Sequence, residues 1–278
     1  MRNLLSASLF RLLRSRLLWL TALAIVAFMG VFIVSTSGQA IHYGEGLDSR
    51  FFCLFLLADL FCAVFCSLHL GQEYGEGAIR NKLMAGHSRI SVYLAGLVCS
   101  FLASLLLLFI GGLGAIAFGL PLIGGFHMTA REIAAHLACG VGATAVYASV
   151  YTLLAFLIPN RALSASACFL TSILTLSFSQ KIFSGLEQPE RILSQYIFTP
   201  EGAQLVENGG EGALNPAYVG GVQRTIYEFF NDVLPTGQGF QISNLSVERP
   251  WLLLAYSLVL VLLTTALGLF LFRRKDVK

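Results

Sequence analysis

The sequence predicts an all-α polytopic membrane protein: six transmembrane helices, an N-terminal interfacial helix, and a helical external loop between helices 5 and 6. Three observations predict it. Hydrophobic residues make up 56% of the chain and charged residues only 12%, against a charged share of about 25% in soluble domains. Six apolar runs of about 20 residues recur, the length a helix needs to cross roughly 30 Å of hydrocarbon. The Lys and Arg residues are divided unequally between alternate connecting segments, as expected of a chain threaded through a bilayer. The net charge of +3 is too small to point to nucleic acid.

The first element, residues 1–17, places Leu5, Leu9, Leu12 and Leu13 on one helical face and Arg11, Arg14 and Ser15 opposite, the pattern of a helix lying in the headgroup plane. The spans are Leu18 to Ser37, Phe51 to Gly71, Tyr93 to Gly119, Ile133 to Ile158, Ala162 to Ser179 and Pro250 to Phe272. The first exceeds the 7 to 15 apolar residues of a signal peptide and reads as a retained span. The fifth is short and rich in Ser and Thr, whose hydroxyls can bond carbonyls of the preceding turn. Gly111, Gly112, Gly114 and Gly119, with Gly140 and Gly142, predict close helix packing in the bundle or across a dimer seam.

Orientation follows from the cations. Arg2, Arg11, Arg14, Arg16, Arg80, Lys82, Arg89, Arg161, Arg273, Arg274, Lys275 and Lys278 share one side, leaving Arg50, Arg131, Lys181, Arg191, Arg224 and Arg249 on the other. The first group lies in short segments, so both termini are expected to be cytoplasmic.

The external loop, residues 180–249, is amphipathic. Val222, Ile226, Phe229, Phe230 and Val233 recur at helical spacing and Pro235 ends the pattern. A second helix is expected to begin at Pro189, with Ile192, Leu193, Tyr196 and Ile197 on one side, and Asn208-Gly209-Gly210-Glu211-Gly212 reads as a turn. The expected form is either a small cap on the outer mouth of the bundle, its aromatic stripe packed on the scaffold, or an element that gates or receives a peptide or lipid.

Asp59, near the middle of the second span, sits where a carboxylate costs about 2.5 to 3.5 kcal/mol on insertion scales. It belongs either to a substrate or ion path or to a hydrogen-bonded packing contact. Tyr147 and Tyr151, one turn apart, are the other candidates for such a path, or a packed aromatic pair. His69 and His136 are expected at the interface. The six cysteines, Cys53, Cys62, Cys66, Cys99, Cys139 and Cys168, lie in apolar runs, which argues against a disulfide framework; Cys62 and Cys66 lack the further ligands of a zinc site, and no metal is expected.

Between the second and third spans, Ile79 to Ala85 can form a two-turn helix with Ile79 and Leu83 on one face, stopped by Gly86, and Ser88 can cap the helix that follows. A helix that short is marginal alone, so a partner surface is expected to order it. Glu73-Tyr74, Gly77-Ala78-Ile79-Arg80-Asn81-Lys82-Leu83, Gly86-x-Ser88-Arg89 and Tyr93 resemble the loop after the second span in membrane subunits of ABC type-2 transporters. Asn215-Pro216-x-Tyr218-Val219-x-Gly221 and Leu234-Pro235-Thr236-Gly237-Gln238 also look like segments of bacterial members. Many members carry Thr in place of Ala78, so a cap contact from that hydroxyl is absent.

The resemblance implies one ABC type-2 transmembrane domain over residues 1–278: interfacial helix 1–17, spans 1–5 within 18–179, external loop 180–249, and the last span with a cytoplasmic tail in 250–278. It also implies a bacterial cytoplasmic membrane, export of a hydrophobic compound, peptide or lipid-like substrate, and a second membrane subunit, identical or different. The loop between spans 2 and 3 would be a coupling helix docked on a cytoplasmic ABC ATP-binding subunit through Glu73, Glu76, Gly77, Ile79, Arg80, Lys82, Leu83 and Arg89. ATP and Mg would be held by that subunit, leaving no cofactor in this chain.

The residues themselves agree with a chain that does not hydrolyse ATP, since no Gly-x-x-x-x-Gly-Lys-Ser/Thr loop occurs. A hydrolase reading fails for want of a Gly-x-Ser-x-Gly elbow or a His-Glu-x-x-His pair. A proton-coupled carrier using Asp59 is the alternative transporter; it predicts an inverted repeat between the halves, which the sequence lacks. A membrane sensor or scaffold is the third reading.

Overall fold

The computed structural model describes residues 2–275 except 193, 200–201 and 208–212. Helix α1 (Arg2–Leu13) leads into α2 (Arg16–Tyr43), α3 (Asp48–Gly75), the short α4 (Ala78–Met84), α5 (Arg89–Leu122), α6 (Ala130–Leu157) and α7 (Arg161–Leu186). Four short strands follow, then α8 (Gly221–Val233), α9 (Pro235–Ser243) and α10 (Pro250–Arg274). Helices α2, α3, α5, α6, α7 and α10 are long and apolar enough to cross a membrane; α2, α3, α5 and α7 extend their expected spans at both ends, α6 stops one residue short of Ile158, and α10 begins at the expected Pro250.

Capping residues explain where several of these helices start. Ser15 accepts from Leu18 N at 3.3 Å, and Asn160 accepts from Ala162 N and Leu163 N at 3.0 and 3.1 Å. Thr129 and Glu132 close a reciprocal capping box at α6. In the Ser/Thr-rich α7, Thr171 and Thr175 hydroxyls donate to the carbonyls of Ala167 and Thr171 at 2.8 and 2.9 Å, which is how those side chains are accommodated.

Close approach is confined to particular contacts. A Cβ on Gly111 would meet Ile25 of α2 at 2.6 Å, and one on Gly140 would collide with the Phe55 ring of α3. Both glycine groups therefore serve packing inside this chain. The two ends of the bundle are stitched differently. At one end lie α1, α4, the α6–α7 turn and the close of α10. At the other, the Asp48 carboxylate accepts from His127 N and Met128 N at 2.8 and 3.1 Å, tying the α2–α3 turn to the α5–α6 loop.

Helix α1 buries Leu4, Ser8 and Leu12, with Leu5 and Leu9 partly covered, whereas Leu13 is half exposed. Its inward face is thus rotated from the expected Leu5-Leu9-Leu12-Leu13 stripe.

The segment from Pro189 departs from expectation. Arg191–Ile192 pairs antiparallel with Ala213–Leu214, and Ser194–Thr199 pairs antiparallel with Gly202–Glu207. No helix begins at Pro189: the run Tyr196, Ile197, Phe198, Thr199 is aromatic and β-branched, which favours strand over helix. Leu193 and the expected turn at Asn208 to Gly212 lie outside the described residues.

The α8 helix forms as expected, but the segment is not a cap. Leu234 ends α8 and precedes α9, whose first residue is Pro235, a position where its missing N–H is harmless. The two helices form a hairpin inserted into the bundle. Phe230 packs on Phe178 of α7 and Phe229 on Tyr256 of α10, while α9 buries Thr236, Gly237, Gln238 and Gly239 against α3, α6 and α7. Val222, Ile226, Phe229 and Phe230 still present much of their surface outward, so the scaffold covers only the edges of the apolar stripe, at Phe229 and Phe230, while Asn231 on the polar side is buried. Between two spanning helices, outward is the direction of the bilayer, where an apolar face is at home.

Candidate functional site

Helix α4 is positioned by glycines at both ends. Gly77 adopts φ 68° and Gly86 φ 86°, left-handed conformations that favour glycine, and no side chain caps α4 at Gly77. Ser88 then accepts from Ser91 N at 3.2 Å to start α5. Ile79, 1% exposed, joins Leu4, Leu70, Val92 and Phe156 in one buried cluster, with Leu83 packed beside it. Burial of such a side chain contributes about 1.5 to 3 kcal/mol. Helices α1, α3 and α5 of the same chain therefore order α4, which corrects the expectation that a partner surface is needed.

Glu73 is the electrostatic centre of this region. It is 5% exposed, and Lys82 Nζ donates to both of its oxygens at 2.9 Å. Arg11 of α1 approaches the same carboxylate at 3.7 Å. One buried charge thus joins α1, α3 and α4. Tyr74 OH donates to Phe156 O at 2.9 Å, and Lys275 Nζ donates to Phe156 O and Leu157 O at 2.7 and 3.1 Å while lying 5.0 Å from the centre of the Tyr74 ring. The carbonyls left open at the end of α6 are satisfied in this way. Arg89 donates to the carbonyls of Phe272, Arg273 and Lys275, closing the end of α10.

The eight residues expected at the coupling segment therefore divide by direction. Glu73 and Lys82 face inward and pair with each other; Ile79 and Leu83 are apolar anchors; Gly77 makes the turn; Arg89 holds α10. Glu76 and Arg80 point outward, beside Asn81 and Met84, the last 67% exposed. A groove of about 410 Å³ between α1 and α4 is lined by Arg11, Glu76, Asn81, Lys82 and His87 among others. From sequence Arg11 is a charge of the polar face of α1 and Lys275 a topology charge; their partners lie 62 and 119 positions away, and no local pattern marks the pairing.

Within the spans, Asp59 is 1% exposed. Tyr151 OH donates to its Oδ1 at 2.5 Å and Ser172 OH to its Oδ2 at 2.6 Å, joining α3, α6 and α7 by one carboxylate. Tyr147 is buried one turn away but donates to Pro235 O at 2.7 Å, linking α6 to the inserted hairpin. The structure brings Asp59 and Tyr151 together, sends Tyr147 elsewhere, and adds Ser172. His69 and His136 are buried within the bundle near the ends of α3 and α6, stacked on Phe65 and packed against Phe52.

The family profile described as ABC-2 family transporter protein matches residues 4–178, from α1 through most of α7. The chain belongs to the ABC-2 transporter family. No curated protein matches it. This ABC-2 permease is accordingly a multi-pass membrane protein, the membrane subunit of an ABC transporter, in a family that associates with an ABC ATPase subunit and is generally not itself catalytic. The matched region includes α4, Glu73 and Asp59 and stops before the α8–α9 hairpin.

Proposed function

We propose that this permease is the transmembrane half of an ATP-driven exporter of a hydrophobic compound, peptide or lipid-like substrate, and that α4 receives the stroke of a separate ATPase. The observation that carries this reading is the two-sidedness of α4. Its outer face offers Arg80 and Met84, with Glu76 of the preceding turn beside them, while its inner face is anchored by Ile79 and by the Glu73–Lys82–Arg11 cluster. A push on α4 is passed to α1, α3 and α5 together, because Glu73 cannot leave its cationic partners without stranding a buried charge. Tyr74 and Lys275 extend the same body to α6 and α10.

In this account two such subunits, identical or different, surround the path in a bacterial cytoplasmic membrane with their termini in the cytoplasm, and ATP and Mg²⁺ are held by the ATPase subunits. Asp59, Tyr147 and Tyr151 line the path when α7 separates from α3 and α6, and the carboxylate bridge closes it in the state described. Differential contact between the ATPase and the two states of α4 supplies the bias.

Charge reversal at Arg80 (Arg80→Glu) is the test. It should leave membrane insertion intact and uncouple ATP hydrolysis by the co-purified partner from export. Unaltered export by that variant, or full transport activity with no companion ATPase, would remove the basis of the reading.

A further inference from the structure

Helix α1 has three sides, and only one is turned to the bundle. Leu4, Ser8 and Leu12 are buried there, Arg11 and Arg14 are exposed, and an outward apolar side carries Phe10, 66% exposed, and the half-exposed Leu13. The Arg14 guanidinium stands 5.9 Å from the centre of the Phe10 ring. Helix α2 continues the same surface. Arg16, Leu20, Leu23 and Ala27 are all exposed and follow one another at the i, i+4, i+7, i+11 spacing of a single helix face. Arg16 therefore ends the outward apolar stripe of a membrane-crossing helix, about 6 Å beyond Leu20 at 1.5 Å per residue.

The corner between the two helices is fixed and one-sided in charge. Ser15 caps α2 by accepting from Leu18 N, and Trp19 Nε1 donates to Leu13 O at 2.9 Å, so the indole bridges the end of α1 and the first turn of α2 while remaining 55% exposed. A tryptophan with its N–H satisfied and its apolar body outward suits the level where acyl chains meet headgroups. The sequence holds no Asp or Glu before Glu45. Arg11 leans toward Glu73, but among the described residues no carboxylate pairs with Arg14 or Arg16.

We propose that this corner is a binding surface for anionic phospholipid, with Phe10, Leu13, Trp19 and Leu20 among the acyl chains and Arg14 and Arg16 on the phosphate and its net negative headgroup. Guanidinium groups bond phosphate oxygens in pairs, and the exposed arginines are complementary to an anionic leaflet. Continuity selects lipid over a protein partner: the apolar residues of the corner run without a break into the α2 stripe, which hydrocarbon wets along its length. The surface does not depend on the reading of α4.

The test compares lipid preference at the two tryptophans, Trp19 and Trp251, which lie at opposite ends of the bundle. The full chain carrying Trp251→Phe is placed in lipid nanodiscs, and Trp19 fluorescence is quenched with dibrominated phosphatidylglycerol or dibrominated phosphatidylcholine. Phosphatidylglycerol is expected to bind beside Trp19 about fivefold more tightly, the discrimination that one cation near an anionic surface supplies. In the Trp19→Phe chain, Trp251 should show no preference, since Glu248 offsets Arg249 beside it. Arg14→Gln/Arg16→Gln should bring the ratio at Trp19 close to one. Raising NaCl to about 0.5 M should lower the ratio with both arginines present; where the double variant fails to insert, that measurement decides, and an unchanged ratio overturns the surface. Equal quenching by the two lipids at Trp19, an equal preference at Trp251, or an unaltered ratio in the folded double variant would each overturn it. Quenching of Trp19 by neither lipid would show the corner covered by protein, with the same consequence.

Discussion

Lys82 of α4 sets its ammonium 2.9 Å from both oxygens of the buried Glu73 carboxylate of α3. The pair lies nine positions apart and fixes α4 against the bundle, with Arg11 as a second, more exposed cation. Removing one member strands the other, at about 3 to 5 kcal/mol for a buried pair. Glu73→Gln should therefore lower thermal stability and expose α4 to trypsin at Arg80 and Lys82. The double variant Glu73→Gln/Lys82→Met should recover part of the loss. A double variant as damaged as the sum of the singles would show that the two charges do not act as a pair.

The Asp59 bridge predicts an ordered series. Asp59→Asn keeps an acceptor for one of the two hydroxyls, whereas Asp59→Ala leaves Tyr151 and Ser172 without one. Asp59→Ala should therefore destabilise more, and Ser172→Ala should cost about 1 to 3 kcal/mol through the unpaired carboxylate oxygen. Unfolding midpoints of the detergent-solubilised variants check the order, and equal midpoints for all three would contradict it.

Gly237 lies where α9 crosses the end of α8, and a Cβ there would stand 2.4 Å from Asn231 O. Gly237→Ala should force the hairpin apart, at about 1 to 3 kcal/mol, the usual range for overpacking. Labelling of a cysteine introduced at the buried Thr236 by a membrane-impermeant maleimide, in a background without the native cysteines, should rise in this variant.

Asp232 makes the hairpin pH-sensitive. Its carboxyl titrates above the ordinary range when folded, so the folded state binds the proton more tightly. The resulting stabilisation is fully present below the ordinary carboxylate pKa and is lost as pH rises through the raised value. Hydrogen exchange in α8 should be slower at mildly acidic pH than at neutral pH, after correction for intrinsic exchange rates. Asp232→Asn should flatten that difference, and an unchanged profile in the variant would assign the effect to another group.

Most of the spanning architecture was legible because its signals are local. Each span is a run whose length is set by the bilayer, and Ser15, Ser88, Thr129 and Asn160 satisfy helix starts within three residues of themselves. The coupling-segment motif was legible as a contiguous string. The directions of its side chains were not: Glu73 and Arg80 are both charged and seven positions apart, and only packing decides that the first is buried and the second exposed. Ser172, Arg11 and Lys275 escaped for a related reason, since a polar contact between helices distant in sequence leaves no periodic trace.

The amino-acid order alone thus determined six apolar helices, a short glycine-bounded helix between the second and third, and an amphipathic helix at Val222 to Val233. Tertiary structure decided which way that last helix turned. Beside α7 and α10 its apolar face is directed outward and its polar face toward protein, the reverse of a helix packed on a soluble core. The physical reason is that hydrocarbon accepts apolar side chains but cannot satisfy polar ones, so Asn231, Thr236 and Gln238 are buried against the bundle, where Thr236 finds partners on α7 and Gln238 on α10.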